Sequence, residues 1–100
     1  MIKHIILWTL KNEFTENEKN NIKENAKREL EALVGKIDGL QELTLYTKGL
    51  ESSNADMMLD STLESEEALK RYQTHPDHVA AANNFVRPFT EVRLCLDFKK

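Results

Sequence analysis

Cysteine is nearly absent from this chain: Cys95 is the one such residue in 100. A lone thiol cannot close an internal disulfide, and in the strand-like run where it lies its ordinary role is that of a small buried hydrophobe. A reducing, cytoplasmic setting is the expectation that follows. Positive charge is not in excess either, with 14 Lys and Arg against 17 Asp and Glu and a net charge of −3. A nucleic-acid-binding face needs clustered basic residues, so no nucleic-acid partner is expected. Long hydrophobic runs are missing too. The apolar stretch within MIKHIILWTLKNE is far too short to span a bilayer, and no small-residue cleavage site follows it, so neither membrane nor export is expected.

What is present is 40% hydrophobic residues in 100, enough for one domain, residues 1–100, with a core of its own. A domain this small leaves room for an oligomer interface to matter. KHIILWTL, residues 3–10, is rich in branched and aromatic residues and too short for a typical helix. It reads as a strand with His4, Ile6, Trp8 and Leu10 on one face and Ile5 and Leu7 on the other, apolar on both sides. In TENE, Thr15 can cap a helix while Glu18 reaches back to the cap amide. Ile22, Ala26, Leu30, Leu33 and Val34 then lay an apolar stripe along a charged helix, with Glu24 paired to Arg28 on its wet side and Gly35 ending it.

QELTLYTK, residues 41–48, alternates Leu43 and Leu45 with Thr44 and Tyr46 and reads as a strand with one apolar face. ADMMLDSTL, residues 55–63, puts Met57, Leu59 and Leu63 on one face and Met58 on the other. Ser65 caps the next helix, whose apolar face carries Ala68, Leu69 and Tyr72. Pro76 disfavours the helical conformation at His75, so this helix ends near Thr74 and a second begins with Pro76 in its first turn. In EVRLCLDF, Val92, Leu94, Leu96 and Phe98 form what reads as a strand's core face.

Strand, helix, strand, strand, broken helix, strand is the order of an α+β ferredoxin-like βαββαβ unit, an antiparallel four-stranded sheet with helices on one face. The first and third strands are central in that topology, and they are the two with a second apolar face. Nothing left in the chain covers that side of the sheet. A second copy of the chain is the expected cover, giving a homodimer.

IKHIILWTLK, LVGKIDGL, DMMLDSTLES and above all YQTHPDHV, together spanning roughly residues 2–98, resemble the stress-responsive dimeric A/B barrel family, often called Dabb. The resemblance implies homodimers whose two sheets close into a dimeric α/β barrel. It implies little chemistry: many members have no established activity, plant members are linked to stress responses, and a few relatives are polyketide cyclases that carry out an intramolecular aldol condensation with loss of water. In the cyclase pattern the positions matching Tyr72 and His78 are the catalytic pair, and the one matching His4 lines the same pocket. Asp60 departs from the usual apolar or aromatic residue, and Leu63 from a common phenylalanine.

His78 falls in the first turn after Pro76, where the helix dipole disfavours the imidazolium form. A neutral imidazole can take a proton from carbon beside a carbonyl, and Tyr72 can donate to the enolate oxygen that develops. His4, Ile6, Trp8 and His75 are the expected substrate-binding walls. The same residues also make an ordinary joint between two helices, with tyrosine and histidine satisfying buried backbone groups. Two readings therefore stand: a protein that binds a small apolar molecule bearing a carbonyl or phenol, and a cofactor-independent cyclase or lyase. No cofactor is expected. His75 and His78 stand at i, i+3 with no acidic or cysteine ligand beside them at a recognised zinc spacing, so no metal is expected either.

Overall fold

In the computed structural model, which describes residues 1–100, the chain forms β1 (Ile2–Leu10), α1 (Glu16–Glu31), β2 (Leu40–Tyr46), β3 (Met57–Leu63), α2 (Glu66–Thr74), α3 (Pro76–Phe85) and β4 (Thr90–Lys99). The capping signals act as the sequence suggests. Thr15 Oγ1 accepts the Glu18 amide at 3.2 Å while a Glu18 carboxylate oxygen accepts the Thr15 amide at 2.8 Å. Ser65 Oγ accepts the Ala68 amide at 3.1 Å to begin α2.

Helix α1 stops sooner than Gly35. The Leu33 and Val34 amides turn back to the Leu30 and Glu31 carbonyls at 3.1 and 3.4 Å, tightening the chain into successive turns before Gly35, at φ +90°, reverses it. This winding buries Leu33 and Ile37 and leaves Val34 exposed, so Val34 drops out of the expected stripe. The expected pair of Glu24 with Arg28 is replaced too. Arg28 donates to Asn25 at 3.0 Å and Glu29 at 3.2 Å, and the i, i+4 pair that forms is Lys27 with Glu31 at 2.6 Å. Lys27 also donates to the Leu45 carbonyl and Glu31 accepts the Leu45 amide, so this ion pair fastens α1 to β2. At Gly39, φ +86°, a Cβ would come within 2.5 Å of Ala68 Cβ; only glycine lets the start of β2 pass so close to α2.

The sheet is antiparallel throughout, in the order β2-β3-β1-β4, so β1 and β3 are central as the ferredoxin-like order requires. Its helix-covered face carries the core: Ile6 opposite Leu59, Trp8 opposite Met57, and Leu45 opposite Leu59, all buried. The other face carries Ile5 and Leu7 of β1, Met58 of β3 and, on the edge, Leu94, Leu96 and Phe98.

β4 corrects one expectation. Its apolar residues are not a core face within the chain: Leu94 pairs with Leu7 and Leu96 with Ile5, so they extend the second face of β1, away from the helices. Leu94 is 62% exposed and Leu96 64%. The alternate residues Arg93, Cys95 and Asp97 pair with Trp8, Ile6 and His4 and share the helix side, where the edge strand stays exposed along residues 91–100. Cys95 is accordingly exposed, not the buried hydrophobe expected. Asp60, one of the two departures from the resembled pattern, lies on the open face with its carboxylate 2.6 Å from Lys3 Nζ.

Candidate functional site

The break between α2 and α3 builds the site. His75 is extended, ψ 133°, and serves at once as the last cap of α2 and the first cap of α3, with its Nδ1 accepting the Asp77 amide at 3.1 Å. Pro76 follows with no amide to satisfy. The chain redirected at this joint lays the His78 ring against Tyr72, centroids 4.3 Å apart with 41° between the planes. His4 of β1 meets Tyr72 edge-on, with centroids at 5.9 Å.

A cavity of about 220 Å³ opens between these side chains and the sheet. His4, Ile6, Trp8, Tyr72 and His78 line it, so five of the six residues expected from sequence come together. His75 does not. It is taken up in capping α3 and faces the Gly35–Leu40 connection beside Arg71. Arg87, just beyond α3, and Arg93 of β4 also line the cavity and were not foreseen from the sequence. Both are exposed, placing them where the cavity meets solvent.

Tyr72 is fully buried, and its hydroxyl has no hydrogen-bond partner. Burial pushes its pKa well above the ordinary tyrosine value, against a smaller opposing pull from Arg93, so the group is a phenol donor and not a phenolate. His78 is pushed below the ordinary histidine value, first by burial and then by the charges of Arg87, His4 and Arg93, against a backbone hydrogen bond that favours the charged ring. Desolvation thus leads where the sequence suggested the helix dipole. The Nδ1 of His78 lies 3.3 Å from the Gln73 carbonyl. That oxygen can only accept, so Nδ1 carries the proton and Nε2 keeps the free lone pair.

His4 is held from behind. Its Nδ1 donates to the carboxylate of Asp97, directly opposite on β4, and its own carbonyl accepts the Ser61 hydroxyl at 2.9 Å. With Nδ1 committed, Nε2 is the nitrogen left for a ligand. Asp97 is invisible as a site residue in sequence, since its link to His4 depends on the β1–β4 register. Ligand-type atoms of His4, Cys95 and Asp97 lie within 4.8 Å of one another. A metal there would have to displace the His4–Asp97 hydrogen bond and the proton of a thiol that partial desolvation and Asp97 push up.

The profile of the Stress Responsive A/B Barrel Domain, Dabb, matches residues 2–100. The chain belongs to this family. Among solved structures, a dimeric protein of unknown function with a ferredoxin-like fold from Bacteroides fragilis NCTC 9343 is 28% identical, with 99% of this chain and 95% of that one covered and a TM-score of 0.92. A Dabb family protein from Mesorhizobium loti is 24% identical over 99% of this chain and 95% of that one, with a TM-score of 0.76. A hydroxynitrile lyase from Passiflora edulis is 16% identical over 97% and 90% of the two chains, with a TM-score of 0.71, a likeness of fold. No curated protein matches the sequence. The biochemical activity of this Dabb chain is not established.

Proposed function

We propose that this chain is a single Dabb domain, residues 1–100, acting in the cytoplasm as a homodimer that binds a small, mostly apolar molecule with a carbonyl or phenol oxygen. The ligand sits between the α2–α3 joint and the sheet. The observation that carries this reading is Tyr72, which lines the cavity while its hydroxyl is fully buried and without a partner. An unsatisfied buried hydroxyl costs roughly 1–3 kcal/mol, and a ligand oxygen accepting from it relieves that cost. Ligand size follows from the volume. A dry cavity of about 150 Å³ accommodates benzene, so about 220 Å³ has room for one substituted ring.

The dimer rests on Leu94, Leu96 and Phe98 beside Ile5 and Leu7 on the uncovered face, and on the dimeric relative from Bacteroides fragilis. The test of the binding reading is a thermal-shift screen of small phenols and ketones against the protein and its Tyr72→Phe variant. A ligand that binds the native state raises Tm in proportion to its occupancy. Compounds of this class that raise Tm equally in both proteins would remove Tyr72 from the site.

A second reading, a cofactor-independent cyclase or lyase, has one observation in its favour. A neutral His78 with Nε2 free is packed against a phenol donor. In that reaction Nε2 takes a proton from the carbon next to a carbonyl, the electron pair moves to the carbonyl oxygen, and Tyr72 donates to that oxygen. The enolate carbon attacks a second carbonyl of the same molecule, the imidazolium returns its proton to the alkoxide formed there, and Nε2 then takes a second α-proton and passes it to the departing hydroxide, so that water leaves. Turnover of a diketone chain that disappears in His78→Ala, with the dimer intact, is the result this reading requires.

A further inference from the structure

The cavity collects positive charge and no negative charge. Arg87 donates to Asn83 Oδ1 at 2.6 Å, a neutral partner, and neither Arg87 nor Arg93 takes part in any of the fold's ion pairs. The chain has 17 acidic residues against 14 basic ones, yet none of the acidic ones lines the cavity.

Two guanidiniums border one opening, and their field also works against charge on His78. Asp97 lies close to Arg93, across the Cys95 thiol that both act on, but bonds His4; an arginine not paired to a carboxylate is well suited to an incoming planar anion, because its donors match two carboxylate oxygens at once. The depth of the cavity supplies a second, independent mark of a ligand: the buried Tyr72 hydroxyl, a donor with nothing to donate to. Donors at the mouth and a donor at the wall, with Ile6 and Trp8 among the apolar walls, suit a molecule that is apolar in the middle and oxygen-bearing at both ends.

We propose that the ligand of this cavity is a small ring carboxylate whose anionic group is held at the mouth by Arg87 and Arg93, while a hydroxyl or carbonyl oxygen on the ring accepts from Tyr72. This assignment rests on the ligand-binding reading above and narrows it from apolar carbonyl compounds to their carboxylates. Apolar area and the Tyr72 bond serve a neutral analogue equally; the arginines discriminate in favour of the acid.

The experiment compares the three positional hydroxybenzoates with their neutral hydroxybenzamides, titrated into the full chain and followed by amide and histidine resonances. At least one hydroxybenzoate binds tenfold or more tightly than its amide, and that preference falls at least threefold in Arg93→Gln and in Arg87→Gln. Both arginines are exposed, where substitutions usually leave stability nearly unchanged, and an unchanged amide spectrum of the free variant verifies the fold. Equal affinity for acid and amide, or a preference untouched in both variants, overturns the carboxylate assignment and leaves the cavity as a ligand site. If no compound of either kind moves the His78 resonances, the carboxylate assignment falls together with the reading on which it rests.

Discussion

The rings of Tyr72 and His78 pack with centroids 4.3 Å apart although the helix that carries the first ends before the second. On an unbroken helix, residues six apart lie about 240° round the axis from each other and cannot share a contact. The extended conformation at His75 removes that rotation, and Pro76 makes the break obligatory. Joint and site are therefore one structure, so the question of whether YQTHPDHV is architecture or chemistry has a single physical basis.

Tyr72→Phe removes the buried unpartnered hydroxyl and little else. The expected outcome is a gain of about 1 kcal/mol in unfolding free energy, from the low end of the cost of an unsatisfied buried group, together with a loss of ligand binding. Urea unfolding of the free protein measures the first and calorimetric titration the second. A less stable variant would mean that the hydroxyl has a partner in solution.

His78 makes stability depend on pH with a definite sign. Its pKa in the folded chain lies below the unfolded value of about 6.5. Above pH 6.5 both states hold the ring neutral and nothing is lost. As pH falls below 6.5 the unfolded chain binds the proton first, so the folded state loses stability until the folded pKa is passed. Relative to His78→Gln, the protein should hold a constant stability above pH 6.5 and weaken below it. Histidine resonances give the folded pKa directly, and a midpoint above 6.5 would contradict the desolvation seen here.

Much of this was readable in the residues, for local reasons. The Thr15–Glu18 box, the Ser65 cap and the Pro76 break are set within a few positions of sequence, and each appears where expected. Alternation along Val92–Phe98 was equally plain, but a period of two says that a strand has two faces and not which one the helices take. That choice is made by pairing with β1, which turns Leu94 and Leu96 outward and brings Asp97 to His4. The same register explains why Cys95 is exposed and why Arg93 reaches the cavity. The long separation between β1 and β4 in sequence hides all four facts from local pattern.

Asp97→Ala leaves the ring nitrogen of His4, which is almost wholly buried, without its acceptor. The cost expected is roughly 1–3 kcal/mol, that of an orphaned buried donor. Its second effect is on function: His4 is then free to exchange tautomers, and ligand affinity falls several-fold even though Asp97 does not line the cavity. Asp97→Asn, which keeps an acceptor oxygen, should recover most of the stability. Denaturation midpoints that rank Ala lowest and Asn intermediate support the role; identical midpoints for all three remove it.

The open sheet face offers the most direct test of assembly. Leu96 is 64% exposed in the single chain, beside Ile5 and Leu94, and its side chain meets no helix. Burying a leucine is worth about 1.5–3 kcal/mol, and in a two-fold dimer one substitution acts at both symmetric positions. Leu96→Glu also places two carboxylates in the interface. The dimer dissociation constant should rise by at least about a hundredfold, the equivalent of about 2.8 kcal/mol, which moves a micromolar sample to monomer in sedimentation. The fold of each chain should survive, because Leu96 contributes nothing to the helix-side core. A variant that unfolds instead would mean that the single chain cannot stand with this face wet; one that stays dimeric would place the interface elsewhere and leave the exposed leucines of β4 without a partner.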